Sequence, residues 1–338
     1  MSPQFVDFDA DGRLDIVAGI FDGSPHLARG DGKGWKQPEQ ILDATGKRIV
    51  LNKFWNFDTN KWDQTTAYNA DGESGDGRLG TSAVAFDWDG DGDLDLLLGD
   101  HHGGHIYRRE NAGTASKTAF GSKNLLVLAG GVPIDVRGTV ATMRLFDWNR
   151  DGLADLLVGG MGDAFRNEEG GGVWLYLNTG TKTDTRFAAP IEFVAPSKKN
   201  AVGGPTRPDS GLYADAGDID GDGDFDLIVG GYSHWKPTPP ELTDVQKLRV
   251  EELTQIITEA DKELRAVQDE VEKLTKALPE AEQDKKYSEI YASKKDVREA
   301  IMKKRTPAYE EREKLAPGPK RVSYVWLYEN KSAAAKTN

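Results

Sequence analysis

With 338 residues, 38 glycines, 38% apolar side chains and a formal charge of −13, the chain can form one large domain or two ordinary ones, and its glycine content fits a turn-rich β protein. The acidic balance argues against nucleic acid and anionic membrane as partners, because both need a basic surface. There is no cysteine, so disulfides, a thiolate nucleophile and a zinc–thiolate centre are excluded.

The N-terminal stretch Phe5–Gly19 reads FVDFDADGRLDIVAG, and its pattern returns at Phe86–Gly99, Leu145–Gly159 and Ala216–Gly230. Counted from the first Asp, oxygen-bearing side chains recur at loop positions 1, 3, 5 and 9, Gly stands at position 6, and an apolar run follows. The spacing suits a hard cation. Calcium takes about six to eight oxygens, alternate side chains of a tightly curled loop point inward together, and the glycine permits the sharp turn. The candidate ligands are Asp7, Asp9, Asp11 and Asp15 in the first loop and Asp87, Asp89, Asp91 and Asp95 in the second. The third offers Asp147, Asn149, Asp151 and Asp155, and the fourth Asp218, Asp220, Asp222 and Asp226. Position 7 is Arg13, Asp93, Leu153 or Asp224, which share no side-chain chemistry, so a backbone carbonyl is the expected ligand there.

An EF-hand closes with a bidentate Glu at position 12. Position 12 here is Ala18, Leu98, Val158 or Val229, so that motif is rejected and the apolar runs read as short buried strands. The competing reading is an Asp/Gly turn held by its own side-chain hydrogen bonds without metal. Three or four carboxylates packed together in each loop would repel unless neutralised, so about four calcium ions, one per repeat, are expected.

These loops and strands resemble the FG-GAP or VCBS repeat, the calcium-loop blade of integrin-α-like β-propellers, over about three-quarters of the sequence. The resemblance implies a propeller with calcium between strands 1 and 2 of each blade, and no single activity. Loop starts at 7, 87, 147 and 218 leave periods of 80, 60 and 71, each enough for a four-stranded blade with variable loops. Predicted strands are Phe5–Phe8, Ile16–Ile20, His26–Arg29 and Glu39–Leu42, then Ala83–Asp87, Leu96–Gly99, His105–Glu110 and Leu125–Leu128. The third set is Met143–Phe146, Leu156–Gly159, Val173–Leu177 and Ile191–Val194. The fourth begins at Tyr213, reaches strand 2 at Leu227–Gly230, and resumes at Tyr324–Asn330, where YVWLYEN matches VWLYLN at Val173–Asn178.

The interval between is an insertion. After Pro237-Thr238-Pro239-Pro240, the residues Val250, Leu253, Ile257, Ala260, Leu264, Val267, Val271, Leu274 and Leu278 keep steps of three and four, a heptad seam with charged flanks. Pro279 fits the start of a second helix with a weaker seam of Tyr287, Ile290, Val297 and Ile301, Pro307 is expected to kink it or start another turn, and Pro317-Gly318-Pro319 ends it. Glu241–Ala277 and Pro279–Leu315 are both 37 residues long, which predicts an antiparallel hairpin of about 55 Å. The expected fold is therefore all-β, a β-propeller with four visible repeats in residues 1–240, an inserted α-helical antiparallel coiled-coil hairpin in the last blade at 241–316, and the rest of that blade with a C-terminal tail at 317–338.

In a propeller blade the 1–2 and 3–4 loops share one face, and the 2–3 loops and blade crossings share the other. That free face is predicted to hold His26, His101, His102, His105 and His234, with Asp22, Asp100 and Asp163 in the same loops. The crossing 53–80 adds Phe54, Trp55, Phe57, Trp62 and Tyr68, with Arg137, Arg207 and Trp235 in neighbouring segments. Three readings compete: a carbohydrate or peptide site of flat aromatic faces edged by polar groups, a transition-metal or general-base site built on His and Asp, and aromatics that pack under a long loop beside solvated histidines. The acidic loop Asp71–Gly77 is too irregular in spacing for a further ion and reads as a solvated turn. No phosphate-loop, dinucleotide or Gly-x-Ser-x-Gly motif is present.

The leading expectation is a calcium-stabilised binding or adhesion module for a glycan or protein ligand. It would work in an extracellular or periplasmic setting, where calcium keeps such loops filled. No signal peptide or membrane span is visible, so an exported protein whose leader has been removed is expected. The alternatives are a polysaccharide hydrolase or lyase using Asp22, Asp100, His102 and His234, and a structural subunit that docks a protein partner through the hairpin.

Overall fold

The computed structural model describes residues 3–65, 78–136, 139–162, 170–197 and 201–331. Tyr68, the 71–77 loop, Arg137 and Asp163 lie outside the described residues. The chain divides into two compact units: Met1–Ala201 with Pro205–His234 and Arg321–Asn338, and Val202–Gly204 with Trp235–Lys320.

The first unit is built of antiparallel sheets, the first three each running in sequence order from its first strand outward. Sheet one is Gln4–Val6, Asp15–Gly19, Pro25–Ala28 and Glu39–Gln40; sheet two is Gly80–Phe86, Asp95–Asp100, Ile106–Arg109 and Leu125–Leu126. Sheet three is Val140–Phe146, Asp155–Gly160, Val173–Tyr176 and Ile191–Val194. In sheet four Asp226–Lys236 pairs with Ser210–Gly217 on one side and with Lys320–Tyr328 on the other, so the strand expected to resume after the insertion does return to this sheet.

Period-two alternation decides which sheet each side chain meets. Val17 and Leu27 of sheet one pack on Ala83, Leu96 and Leu98 of sheet two. The intervening Leu97 and Ile106 of sheet two turn the other way, onto Met143, Leu156 and Val158 of sheet three. Leu157 and Leu175 of sheet three then meet Leu212, Leu227 and Val229 of sheet four. The second strands of sheets two and three are buried on both faces, which is why they read as unbroken apolar runs.

Three details depart from the sequence reading. His234 and Trp235 were expected in a loop, but the strand continues to Lys236, because Tyr232 pairs with Ser210 and its carbonyl accepts from the Asp209 N–H. The crossing between sheets one and two contains its own hairpin, Lys53–Asn56 with Lys61–Gln64, in which Trp55 stands directly opposite Trp62. The third difference concerns Pro307 and belongs to the second unit.

That unit holds three helices, α1 (Asp244–Lys276), α2 (Glu280–Ser293) and α3 (Lys295–Leu315). Thr243 opens α1 with a reciprocal cap: its hydroxyl accepts from the Gln246 N–H, and the Gln246 side chain accepts from the Thr243 N–H. Leu253 and Ile257 of α1 pack on Ala308 of α3, and Ala260 and Val267 pack on Ile301. Arg249 bridges to Glu311 with two bonds of 2.8 and 2.7 Å. The second arm breaks at Lys294, while α3 runs unbroken through Pro307. Pro307 is exposed, so the carbonyl deprived of its donor faces water rather than the packed seam. Among the described residues no helix is long and apolar enough to cross a membrane.

Candidate metal loops and ligand face

Each acidic loop is folded by its position-1 Asp. Asp7 accepts from the N–H groups of Asp11 and Gly12 at 3.0 and 2.9 Å, and Asp147 from those of Asp151 and Gly152 at 2.9 and 2.8 Å. Asp87 and Asp218 accept from Gly90 and Gly221, both at 2.8 Å. The position-6 glycines Gly12, Gly92, Gly152 and Gly223 have φ between 84° and 93°, with nothing within 4 Å of where a Cβ would stand. Backbone conformation rather than space therefore demands glycine at this position.

The position-9 Asp has a second task that its spacing did not reveal. Asp155 accepts from the N–H groups of Trp148 and Asn178, and Asp226 from those of Ile219 and Asn330. Asp15 accepts from Phe8 and Gly30, and Asp95 from Asn111. All four carboxylates are buried, and each fastens the loop to the end of its own third strand.

Carboxylate oxygens of Asp7, Asp9 and Asp15 lie within 4.8 Å of one another, as do those of Asp87, Asp89 and Asp91 and those of Asp218, Asp220 and Asp222. The third loop carries Asn149 in the same place, and its Nδ2 donates to Asp151 at 2.9 Å. Asp9, Asp93, Asp95 and Asp224 each keep a buried oxygen with no hydrogen-bond partner. Burial, followed by the charges of Asp91, Asp89 and Asp87, pushes the Asp93 carboxyl up to about 6. Burial likewise lifts Asp95 to about 6, against the Asn111 N–H and Arg108. Orphaned oxygens on crowded carboxylates are what a divalent cation satisfies, so the residues present fit calcium. The first loop differs, because Arg13 pairs with Asp11 at 3.2 Å and Arg29 pairs with Asp9.

On the side of the 2–3 loops, some of the expected residues come together. Phe21 and His101 stand edge to face at 5.4 Å, Phe21 meets Trp62 at 6.3 Å, Trp62 meets Trp55 at 5.6 Å, and His101 meets His102 at 5.1 Å. Lys53 lies over Trp62, and Arg48 over both Phe54 and Phe57. Phe21, Phe57 and Trp62 are 55%, 57% and 41% exposed, which makes this an aromatic surface rather than a core. Burial, reinforced by the neighbouring His102, pushes the His101 imidazole down to about 4, so it is neutral at pH 7.

Other expected residues are already occupied. Asp22 is buried and accepts from Ser24, Gln40 and Arg48, with the His26 ring nitrogen at 3.1 Å. Burial alone would raise its carboxyl, but the bonds from His26 and Ser24 outweigh burial and hold it below the usual range. Ser24 and Asp22 meet the same His26 nitrogen, Nε2, so these three residues do not form a nucleophile–base–orienter relay. Asp100 is buried under the N–H groups of Leu79, His102 and Gly103, and the His105 ring bonds the Ile134 carbonyl at 2.8 Å. Arg207 lies in the segment before the strand Ser210–Gly217 and donates to the Ala195 carbonyl, while His234, within the strand Asp226–Lys236, packs on Tyr232 at 5.3 Å. The indole N–H of Trp235 is buried without a hydrogen-bond partner. Among the described residues no histidine belongs to a group of three side chains placed to hold a metal ion, and the carboxylates of Asp22 and Asp100 are taken up by hydrogen bonds within their own loops.

Sequence reasoning missed Phe21, Ser24, Gln40, Arg48 and Lys53. Only Phe21, an aromatic beside Asp22 in a predicted loop, carried a readable signal.

The family model for the FG-GAP-like repeat matches residues 87–158 and 147–229, each match running from one acidic loop to the buried strand after the next. No curated protein sequence matches the chain. Residues 87–229 thus carry two FG-GAP-like repeats.

Proposed function

We propose that this protein is a calcium-stabilised, β-propeller-like binding module working outside the cytosol, and that its aromatic surface takes a glycan ligand. FG-GAP repeats suggest a propeller-like module of the kind often used for binding. The observation that carries the ligand reading is the exposed pair Phe21 and Trp62, with half-buried Trp55 behind, beside neutral His101 and Lys53. Flat apolar faces edged by hydrogen-bonding groups suit the C–H faces and hydroxyls of a sugar ring. Calcium at the acidic loops would supply charge neutralisation and rigidity, held by carboxylates such as Asp87, Asp89 and Asp91. The helical hairpin would serve as a spacer or as a docking arm for a protein partner.

A glycan array probed with the calcium-loaded chain tests this reading. Binding should be lost in Trp62→Ala with no change in the melting temperature. Absence of any glycan hit, or hits that persist in Trp62→Ala, would overturn it.

A further inference from the structure

We propose that the outward faces of the first and fourth sheets are two halves of one interface, and that a second copy of this chain, docked head to tail, covers them. The inference rests on sheet packing, and depends neither on calcium nor on the aromatic surface.

Each internal junction follows one rule. The residue after the position-9 Asp (Leu96, Leu156, Leu227) faces the preceding sheet, and the residue after that (Val17, Leu97, Leu157) faces the next. By the same register Ile16 of sheet one and Ile228 of sheet four face outward, and these are the two ends of the series. Each face carries exposed apolar side chains, with Asp215 opposite Ile228 on the fourth and His26 opposite Ala18 on the first. On the first, Phe5 is 56% exposed and meets Trp35 at 5.6 Å in a tilted contact. On the fourth, Val325 and Leu327 are 75% and 50% exposed, because alternation with inward Tyr328 turns them away from sheet three.

The recurring glycine at the end of the second strand identifies what is missing. A Cβ on Gly19 would stand 2.7 Å from the Ser82 backbone, one on Gly99 2.6 Å from Val140 Cγ1, and one on Gly159 2.0 Å from the Leu212 carbonyl oxygen. Each of these glycines exists so that the first strand of the next sheet can press against it. Gly230 holds the same place in sheet four, yet a Cβ there would meet nothing nearer than Tyr213 of its own sheet, at 3.8 Å. The fourth sheet therefore keeps a notch shaped for a neighbouring sheet of the same kind, and the first sheet presents the complementary face. Since the two faces differ, the contact between copies is heterologous, each copy offering its fourth sheet to the first sheet of the other.

Sedimentation velocity of the whole chain across a concentration series tests this, with Phe5→Asp to block the first face and Gly230→Val to fill the notch. Both positions are open, so both variants should melt like the parent chain. The expected result is self-association of the parent and a dissociation constant at least about tenfold weaker in either variant, since each buries a charge or removes the notch. Mixing the two variants should restore a one-to-one complex, because the mixture retains one intact pair of faces. A parent chain that stays monomeric, association that survives either variant, or a mixture that fails to associate overturns the proposal.

Discussion

The buried carboxylate of Asp155 accepts the Asn178 N–H at 2.7 Å and so ties the third acidic loop to the end of its third strand. The same oxygens that could face a cation therefore hold the sheet together without one. Asp155→Ala strands the buried Asn178 N–H and the part-buried Trp148 N–H and should cost about 2–4 kcal/mol even in chelator. Asp151→Ala, at an exposed position of the same loop, should cost about 1 kcal/mol or less in chelator and more in calcium. Paired denaturant titrations with and without calcium separate the two; equal losses in chelator would show that position 9 has no structural role of its own.

Removing calcium should lower the melting temperature, and the loops should not contribute equally. Those starting at Asp87 and Asp218 each carry five acidic side chains, whereas the first loop has Arg13 and Arg29 on its carboxylates. Affinity follows ligand charge, so the first loop should fill after those two. Arg13→Gln should tighten that site about three- to tenfold by removing a competing cation. Terbium luminescence or calorimetry reads the change, and a set of site affinities left unaltered by Arg13→Gln would contradict the assignment.

The glycines divide into two kinds with opposite tests. Gly92→Ala has room but must adopt φ 90°, at a cost of about 1–2 kcal/mol. Gly159→Ala meets the Leu212 backbone and should cost more than Gly92→Ala, because a strand must move rather than a side chain. Thermal melts of the two variants give the order, and a milder Gly159→Ala would mean that the sheets are less tightly apposed than described.

The loops were legible because their information is local: one residue type every second position, a glycine where φ turns positive, and an apolar run behind. Through-space partners were not. Nothing in the spacing tells that Arg48 crosses to Asp22, or that Asp226 bonds the Asn330 N–H across the inserted helices. His234 was misplaced because strand pairing with Ser210–Gly217 carries the chain past Gly230, where the repeat pattern stops. The break in the second helical arm was sought at Pro307, a residue the helix tolerates on its solvent side, and it falls at Lys294.

His101 gives the aromatic surface a pH signature. Its imidazole titrates near 4 in the folded chain against about 6.5 unfolded, so between those values only the unfolded chain carries the proton. Stability should therefore fall as pH drops from about 6.5 toward 4. His101→Gln should flatten that part of the profile, measured as melting temperature in saturating calcium. A profile unchanged by the substitution would mean that the ring is more hydrated than its contacts with Phe21 and His102 imply.

In the helical unit, packing and charge can be weighed against each other on one pair of helices. Leu253 is 1% exposed and packs with Ala308, whereas the Arg249–Glu311 bridge lies at the surface. Truncating Leu253 to Ala removes buried apolar contact and leaves a cavity, a loss of about 2–4 kcal/mol. Arg249→Ala breaks a solvated ion pair, which costs little despite its two short bonds. Amide hydrogen exchange along α1 reads both, since each lost kcal/mol raises the exchange of protected amides about fivefold. Leu253→Ala should open the helix pair broadly and Arg249→Ala should leave protection near that of the parent; the reverse order would mean that charge pairing, rather than the apolar seam, holds the helices together.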